Sequence, residues 1–421
     1  MDVTVSALGA VSALLIAIIL ILKKVPPAYG MVAGALIGGL IGGVDITNTV
    51  AFMMEGAKDI IPAVLRIMAA GVLAGVLIES GAALSIAETI IKKLGESRAL
   101  LALSIAVMIL TTVGVFIDVA VITVSPIALA IAKRAQLSKT AILLAMIGGG
   151  KAGNIMSPNP NAIAASDAFG VPLTSMMAAG IIPAIFGLAV TYFLAKRLVN
   201  KGSSVGNQDT EMTDQKIPLF ITALIAPLVT IILLALRPLC NISIDPMVAL
   251  PAGGIIGAIA MKKTKNINEY AISGLSKMSG VAIMLLGTGT LAGIISNSAL
   301  KDVFISALNS SGLPAFLLAP VSGIFMSAAT ASTTAGTAVA SGVFSSTILG
   351  LGISALAGAA MIHAGSTVLD HLPHGSFFHA TAGSVNMDIK ERLKLMPYES
   401  LIGLTLAIIS TLIFGVFKLF G

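Results

Sequence analysis

The longest part of the chain without a charged side chain constrains its fold most. No Asp, Glu, Lys or Arg occurs from residue 303 to residue 369, and shorter uncharged stretches recur elsewhere. Across all 421 residues, 57% are hydrophobic and 10% are charged, whereas about 25% are charged in a soluble domain. The apolar stretches are continuous, which disfavours an outer-membrane β-barrel. The sequence therefore predicts an all-α polytopic membrane protein and excludes a soluble enzyme, a nucleic-acid-binding protein and a disordered chain.

A helix that crosses a bilayer needs about 20 apolar residues. Segments that suit this role predict ten crossings, at 3–22, 28–44, 60–78, 141–150 with the residues after it, 168–195, 217–236, 246–261, 278–296, 348–363 with the residues after it, and 400–417. Two further apolar stretches, 99–131 and 313–347, have polar, glycine-containing centres. We interpret each as a re-entrant hairpin of two short helices, because irregular backbone at membrane depth is tolerated only where it lines a cavity or is buried in protein.

The distribution of basic residues supports this arrangement, because cytoplasmic loops collect Lys and Arg. With the N-terminus outside and both hairpins re-entrant, most of the 25 Lys and Arg residues lie on the cytoplasmic side, Arg392 among them. Arg66 and Lys151 fall within membrane segments, and the outer side receives only Lys58, Arg237, Lys301 and Lys418. A crossing in place of the first hairpin would move the basic residues of 133–139 outside. The pattern thus predicts that both termini lie outside the cytoplasm.

Weak internal similarity relates the two halves of the chain at an offset of about 216 residues. Residues 73–77 (LAGVL) return as 291–295 (LAGII), and Pro158 returns as Pro373. Five crossings and one hairpin in each half predict inverted repeats with broken helices at the midplane, as in secondary transporters. The first repeat is predicted at 1–199, with a hairpin at about 99–132 and a broken helix at about 140–165. A cytoplasmic linker is predicted at 200–216, and the second repeat at 217–421, with a hairpin at about 313–347 and a broken helix at about 348–379.

The first predicted break lies within 148–161, where glycines and two prolines prevent a continuous helix. Unwinding exposes backbone groups next to the polar side chains of Asn154, Ser157, Asn159 and Asn161. This lining suits a substrate that is rich in hydroxyls and carbonyls. The alternative is a proline-kinked helix whose asparagines serve in helix packing.

The second predicted break lies within 363–379, which contains all four histidines of the chain. Asp370 is the first charge after the long uncharged stretch, with His371 beside it and His374 close by. Ionisable groups in membrane segments are functional candidates, and His titrates near neutral pH, so these residues are candidates for carrying a coupling proton. The alternative is that the last histidines only cap helix ends. No metal site is predicted, because there is no His-Glu-x-x-His pattern and only one cysteine, Cys240.

The tips of the two predicted hairpins carry hydroxyls and glycine. Helix N-termini and hydroxyl donors suit a carboxylate, which predicts that the tips bind an acidic substrate. The candidates are Thr111, Thr112 and Gly114 in the first tip and Thr330, Ser332, Thr333, Thr334 and Thr337 in the second. Close helix packing through small residues is the alternative. Near the first tip, Asp118 and Lys151 either neutralise each other or leave Lys151 to meet the anionic substrate.

Three segments of the second half resemble the C-terminal region of the gluconate permease (GntP) family, namely 370–378 (DHLPHGSFF), 386–392 (NMDIKER) and 398–400 (YES). In the first half, 157–161 (SPNPN) resembles that family's Pro-Pro-His-Pro-Gly-Pro segment, with Asn159 where the family usually has His. The resemblance implies a proton-coupled sugar-acid symporter of the ion-transporter superfamily, with a static scaffold and a moving transport domain, commonly as a dimer. Because Asn159 replaces the histidine, the resemblance places histidine-based coupling on His371.

The sequence therefore predicts a secondary transporter of the cytoplasmic membrane for proton-coupled symport of a small hydroxylated carboxylate, such as gluconate or a related sugar acid. Its expected partners are that acid, a proton, the lipid bilayer and a second copy in a homodimer, with no cofactor, metal or nucleic acid. A sodium/proton antiporter and a sodium-coupled carboxylate transporter of the same superfamily are the alternatives. Asp118, Lys151 and Asp370 would serve the antiporter without any organic substrate. A channel is less favoured because no continuous polar stripe is evident, and an intramembrane enzyme would need a nucleophile or metal.

Overall fold

The computed structural model describes residues 4–95, 98–206, 217–240, 242–299, 314–373 and 375–419, with the backbone alone at 237–239. Over these ranges the prediction of an all-α fold is confirmed. The paired backbone bridges outside the helices join Val5 to Ser298 and Ser138 to Ser204. Of the predicted linker, residues 207–216 lie outside the described ranges.

The helices are numbered here in chain order. Those before the predicted linker are α1 Ala7–Leu22, α2 Pro27–Ile41, α3 Ile46–Asp59, α4 Ile61–Glu79, α5 Ala82–Leu94, α6 Ala99–Thr112, α7 Ile117–Ala135, α8 Lys139–Asn154, α9 Pro160–Phe169, α10 Leu173–Ala179 and α11 Ile181–Arg197. Those after it are α12 Phe220–Ala223, α13 Ile225–Cys240, α14 Pro246–Ala260, α15 Ile267–Ser296, α16 Leu318–Thr330, α17 Thr333–Gly350, α18 Ala355–Gly365, α19 Ser376–Ser384 and α20 Ile389–Thr411. A π-helical turn, Leu412–Val416, extends α20.

Helix length and surface character both identify a membrane protein. Within the described ranges, four helical stretches are long and apolar enough to cross a bilayer, namely Ile61–Glu79, Leu173–Arg197, Thr264–Ser296 and Ile389–Val416, and several shorter apolar helices accompany them. Large apolar side chains are exposed along the outer helices, including Ile185, Phe193, Leu228 and Ile259. Exposed apolar surface on this scale marks contact with a membrane.

Several predicted spans have different bounds in the structure. The span predicted at 217–236 is divided into α12 and α13, and the one predicted at 348–363 includes the end of α17 and most of α18. The span predicted at 278–296 is part of the 30-residue helix α15, and the one predicted at 400–417 begins at Ile389. Hydropathy detects only the apolar part of such helices and misses their polar first turns. The span predicted at 168–195 is divided into α10 and α11 at Gly180, where an added Cβ would lie 2.1 Å from the carbonyl oxygen of Ile155. The division brings Gly180 against the unwound chain that follows α8.

Helix α15 packs closely against α3 and α4 through glycines. An added Cβ at Gly274 would lie 1.8 Å from the carbonyl oxygen of Gly71, and one at Gly293 would lie 2.0 Å from that of Phe52. Small residues of this kind let helix backbones approach each other where no water drives association.

The helices form two packed groups. In the first group, α15 packs against three helices, α2, α3 and α4. Helix α14 joins this group by packing against both α4 and α13. In the second, α8 packs against α6, α7, α11 and α20, and α18 packs against α9, α16, α17 and α20. The groups meet where α15 contacts α17 and where α4 contacts α9. Helix α5, which packs against α4 of the first group, also contacts α6 and α7 of the second. A cavity of about 480 Å³ lies along this boundary.

Candidate functional site

Two helical hairpins end in tight tips. The tip between α6 and α7 contains Gly114, whose φ of +103° is a conformation that suits glycine. The tip between α16 and α17 consists of Ala331 and Ser332, and Ala331 has a φ of +47°. The Ser332 hydroxyl accepts a hydrogen bond from the N–H of Ala335 and so caps α17. In both hairpins the tip is followed directly by a helix N-terminus.

Two stretches of unwound chain lie opposite these tips. The first separates α8 from α9, and the second separates α18 from α19. Pro160 occupies the first helical position of α9, where a backbone N–H would have no intrahelical acceptor, so its absence costs no hydrogen bond. Asn159 caps the same helix: its Oδ1 accepts from the N–H of Ala162 at 3.0 Å, and its Nδ2 donates to the main-chain and side-chain oxygens of Asn154 at 2.7 and 2.6 Å. Asn159 therefore holds the break in shape.

A cavity of about 480 Å³ lies where the tips and breaks meet. Its wall includes first-turn residues of four helices: Ile117, Asp118 and Val119 of α7, Asn161 of α9, Thr333 and Thr334 of α17, and Ser376 and Phe377 of α19. First-turn N–H groups have no main-chain partner within their helix and carry partial positive charge, so four helix N-termini at one wall favour an anion. In α7, α9 and α17 a side chain already accepts from one of these N–H groups. The volume falls within the range of about 300–1,000 Å³ that is typical of small-molecule sites.

Helix α15 supplies a cation to the opposite wall. Lys277 lines the cavity, and its Nζ donates to Glu79 Oε1 and to Ser273 Oγ, each at 2.9 Å. The side chain is 33% exposed, and its positive charge is paired with the carboxylate of Glu79. The sequence analysis did not identify Lys277, because its position resembles that of other lysines near the ends of apolar segments.

A buried ion pair stands behind the cavity. Lys151 Nζ lies 2.5 Å from Asp370 Oδ1 and 2.5 Å from the carbonyl oxygen of Thr367. The other carboxylate oxygen of Asp370 accepts from the hydroxyl of Thr333, at the second tip, at 2.5 Å. The side chains of Lys151 and Asp370 are 0% and 3% exposed. This pair connects α8, the second break and a hairpin tip.

Asp118 is not the partner of Lys151. Among the described residues no ion pair with Asp118 is formed, and its Oδ1 accepts from the N–H of Val119 at 2.9 Å. Of the two alternatives that the sequence left open, mutual neutralisation of Asp118 and Lys151 is wrong, because Lys151 is paired with Asp370. Contact between Lys151 and an anionic substrate stays a prediction, and in the structure Lys151 lies behind the residues of the cavity wall.

The contacts of His371 define which ring nitrogen carries hydrogen. Its Nε2 lies 3.0 Å from the carbonyl oxygen of Met396 and 3.1 Å from Ser400 Oγ. A carbonyl only accepts, so Nε2 is the donor. Nδ1 then lies 3.2 Å from Lys151 Nζ and 3.1 Å from Asp370 Oδ1. A neutral ring accepts at Nδ1 from the ammonium, and a protonated ring donates from Nδ1 to the carboxylate, so both protonation states find a partner.

A second buried ion pair adjoins His371. Arg392 and Glu399 of α20 form two hydrogen bonds, both side chains are 0% exposed, and the Arg392 guanidinium lies 4.9 Å from the ring centroid of Phe378. Glu399 Oε2 lies 3.9 Å from His371 Nδ1. The sequence analysis counted Arg392 among the basic residues of the cytoplasmic side, but tertiary packing buries it. Opposite charges seven residues apart on one helix face were the available signal.

The structure separates the predicted site residues into several sets. On the cavity wall lie Asp118, Asn154, Asn161, Ser332, Thr333, Thr334 and Asp370. Directly behind Asp370 lie Lys151 and His371. Hydroxyls that donate to a carbonyl of their own helix are those of Thr111, Thr112 and Thr330. Buried hydroxyls without a hydrogen-bond partner in the described structure are those of Ser157 and Thr337. Gly114 and Asn159 shape the backbone, and His374 lies outside the described residues.

A second cavity of about 290 Å³ lies toward the other end of α4. On its wall, Arg66 donates from Nη2 to Asp245 Oδ2 at 2.6 Å and from Nη1 to Asp167. Arg66 is near the start of α4, whereas Glu79, beside the first cavity, ends it, so the two cavities are about 20 Å apart along this helix. Sequence reasoning missed this cluster, because its members come from three distant segments.

Comparison with known proteins identifies the family. The family model described as GntP family permease matches residues 3–252, more than half of the chain. The chain belongs to this family. An uncharacterized transporter of Haemophilus influenzae is 72% identical to this permease over 99% of both chains. The high-affinity gluconate transporter of Escherichia coli is 22% identical and covers 93% of this permease and 95% of its own length. The resemblance found in the sequence is thereby confirmed.

Two further comparisons concern the second half and the fold. The family model described as Na+-H+ antiporter family matches residues 222–311 of this permease. The crystal structure of the YdaH transporter of Alcanivorax borkumensis, described as having an unusual topology, has a TM-score of 0.64, is 15% identical and covers 86% of each chain. It shows a shared fold. Family and fold together make this permease a multi-pass membrane transporter with a small-molecule substrate, in a family of permeases and not of enzymes.

Proposed function

We propose that this permease is a proton-coupled symporter of the cytoplasmic membrane for a small hydroxylated carboxylate, such as gluconate or a related sugar acid. The observation that carries the proposal is the convergence of four helix N-termini on one cavity. Such an arrangement favours a carboxylate, and Lys277, paired with Glu79, adds an ammonium donor on the opposite wall. The gluconate transporter of Escherichia coli, similar over nearly its whole length, supports the same substrate class.

The polar groups of the cavity suit the hydroxylated part of such a substrate. Asn154 and Asn161 offer amide donors and acceptors, and Thr334 donates to Asn161 Oδ1 at 2.6 Å. The side-chain Nδ2 of Asn154 is buried and has no hydrogen-bond partner in the described structure. A buried donor without a partner is unfavourable, so a substrate hydroxyl that accepts from it would gain free energy on binding.

The proposal for proton coupling rests on the ionisable groups behind the cavity. Asp370 faces the cavity and contacts His371, whose Nδ1 finds a partner in either protonation state. A proton bound there is shielded from bulk water, because His371 is 0% exposed. Ionisable groups of this kind serve as proton relays in membrane transporters.

Binding measurements test the proposed substrate class. We expect gluconate to raise the melting temperature of the purified protein in a saturable way, because a ligand that binds only the native state stabilises it by mass action. Replacing Asn161 or Thr334 with Ala should weaken that binding by about 5- to 150-fold, since a lost buried partner costs about 1–3 kcal/mol. Thr111→Ala is the matched control, because that hydroxyl donates to its own helix. Unchanged gluconate affinity in both cavity variants would place the site elsewhere.

We also propose that the chain forms two inverted repeats, 1–199 and 217–421, with the hairpins α6–α7 and α16–α17 re-entrant and both termini outside. The similarity at a constant offset and the bias of basic residues support this architecture. In this topology the Lys277 cavity opens toward the cytoplasm, and the Arg66 cluster closes the outer side. A homodimer is proposed from the family resemblance.

Cysteine labelling tests the first hairpin. Ala135 is exposed at the end of α7. In a Cys240→Ser background, Ala135→Cys should resist a membrane-impermeant maleimide in intact cells and react after permeabilisation, since a re-entrant hairpin leaves it cytoplasmic. Lys58→Cys, at an exposed position predicted outside, is the matched control and should react in intact cells. Labelling of Ala135→Cys from outside would show that this segment crosses the membrane and is not a re-entrant hairpin.

The match of residues 222–311 to the antiporter family supports a second candidate, sodium/proton antiport. This function would use Asp118 and Asp370 without an organic substrate. Sodium-driven proton movement in proteoliposomes that contain no organic acid would favour antiport, whereas gluconate-driven proton movement without sodium supports the symporter.

A further inference from the structure

We propose that the ammonium group of Lys151 occupies a built-in cation site, and that it takes the place of a coupling sodium ion. The inference deepens the proposed function, because it concerns which coupling ion the transporter accepts. It is carried by the contacts of one nitrogen atom: Asp370 Oδ1 at 2.5 Å, the Thr367 carbonyl oxygen at 2.5 Å and His371 Nδ1 at 3.2 Å.

The surroundings of this nitrogen match those of a cation site in a transporter. Thr367 lies just beyond the end of α18, in the unwound stretch. Unwound carbonyls and the C-terminal ends of half-helices carry partial negative charge, and they coordinate sodium or protons in transporters with broken helices. The carboxylate oxygen of Asp370 is the second oxygen partner beside the Thr367 carbonyl, and both oxygen types suit a hard cation. Here the ammonium group is held beside these oxygens by its own side chain.

The site is built from both halves of the chain. Lys151 comes from α8, and its oxygen partners come from the break between α18 and α19. Gly149, near the lysine on α8, has no room for a Cβ, which would lie 2.0 Å from the carbonyl oxygen of Ser104. Close packing therefore fixes the position of α8 and of the Lys151 backbone, and the Lys151 side chain is fully buried.

Asp370 links the cation site to the substrate cavity. One of its carboxylate oxygens faces Lys151, and the other accepts from Thr333 at the tip of the second hairpin. In a sodium-coupled transporter, an ion at this position would order the tip. In this permease the lysine maintains that order permanently, because a covalently tethered cation does not dissociate. Sodium would have to displace an ammonium group from its carboxylate, so we expect the native protein to function without sodium.

Thermal unfolding in sodium chloride and in choline chloride at equal ionic strength tests the inference without any organic acid. The melting temperature of the native protein should be the same in both salts. Lys151→Ala vacates the site and should gain a saturable shift of about 2–4 °C or more in sodium chloride, since binding to the native state alone raises stability. Ethylammonium chloride should produce a similar shift, because it restores an ammonium group in the space of the removed side chain.

Three matched variants separate this role from simple charge neutralisation. Lys151→Arg retains a tethered cation and should show no sodium effect. Lys151→Ala combined with Asp370→Asn loses the carboxylate and should also show none. Lys151→Gln leaves less space than Lys151→Ala and should gain a smaller sodium shift, and it replaces the alanine variant if that protein does not fold.

Two results would overturn the inference. The first is a saturable sodium shift in the native protein, which would show that Lys151 does not fill the site. The second is the absence of any sodium or ethylammonium shift in both Lys151→Ala and Lys151→Gln. Failure of gluconate to bind would count against the proposed substrate instead, since none of these measurements contains an organic acid.

Discussion

His371→Gln is expected to bind and exchange substrate but to lose its accumulation under an inward proton gradient. The glutamine amide retains a donor toward the Met396 carbonyl, which accepts from His371 Nε2 at 3.0 Å in the native protein. It does not titrate, so the position near Asp370 Oδ1 no longer binds a proton. Exchange should survive, because it moves no net proton.

Proteoliposomes measure both activities. Uptake of labelled gluconate against an imposed pH gradient reports coupling, and exchange against internal unlabelled gluconate reports transport. His379→Gln is the matched control, since His379 is exposed, with Nε2 hydrogen-bonded to the carbonyl oxygen of Pro373 at 2.8 Å. We expect it to accumulate substrate normally. Full accumulation by His371→Gln with an unchanged pH dependence would assign coupling to Asp370 or Asp118, or to sodium.

Glu399→Gln should destabilise the protein severely, because it leaves the fully buried guanidinium of Arg392 without its counter-charge. Removing one partner of a buried ion pair typically costs about 3–5 kcal/mol. Replacing both members with uncharged side chains of similar size, Arg392→Met with Glu399→Gln, should restore much of the loss, because no unpaired buried charge remains.

The melting temperature in detergent and the yield of folded protein measure this effect. Glu88→Gln is the control, because its partner Lys92 is 74% exposed and such surface pairs contribute only about 0–1 kcal/mol. We expect the melting temperature to be highest for the native protein, slightly lower for Glu88→Gln, lower again for the double variant and lowest for Glu399→Gln. A double variant as unstable as Glu399→Gln would show that the hydrogen bonds of this pair, and not its charge balance, stabilise α20.

The sequence by itself determined the class of protein and the position of the break after α8. A chain with so few charges has to place its apolar side chains in a bilayer, and this holds whatever the packing. The glycines and prolines of 148–161 restrict the backbone locally, so the end of α8 and the start of α9 at Pro160 follow from nearby residues. The family resemblance at 370–378 likewise depends on local sequence.

The hydropathy pattern of the sequence did not determine which way individual polar side chains point. Asn159 and Asn161 look equivalent in the sequence, but Asn159 caps α9 and Asn161 lines the cavity. The hydroxyls of Thr111 and Thr333 likewise differ, since one donates to its own helix and the other to Asp370. The rotation of each helix around its axis decides between such roles, and that rotation depends on the neighbouring helices.

Only the tertiary structure decided which charges meet. Lys151 has its partner Asp370 219 positions away in the chain, and Arg66 joins Asp167 to Asp245 from separate segments. Arg392 looked like a surface charge until packing placed it against Glu399 and Phe378. Hydropathy and backbone restriction are properties of a residue and its neighbours in sequence, whereas an ion pair depends on a distance of a few ångströms that only the packed helices establish.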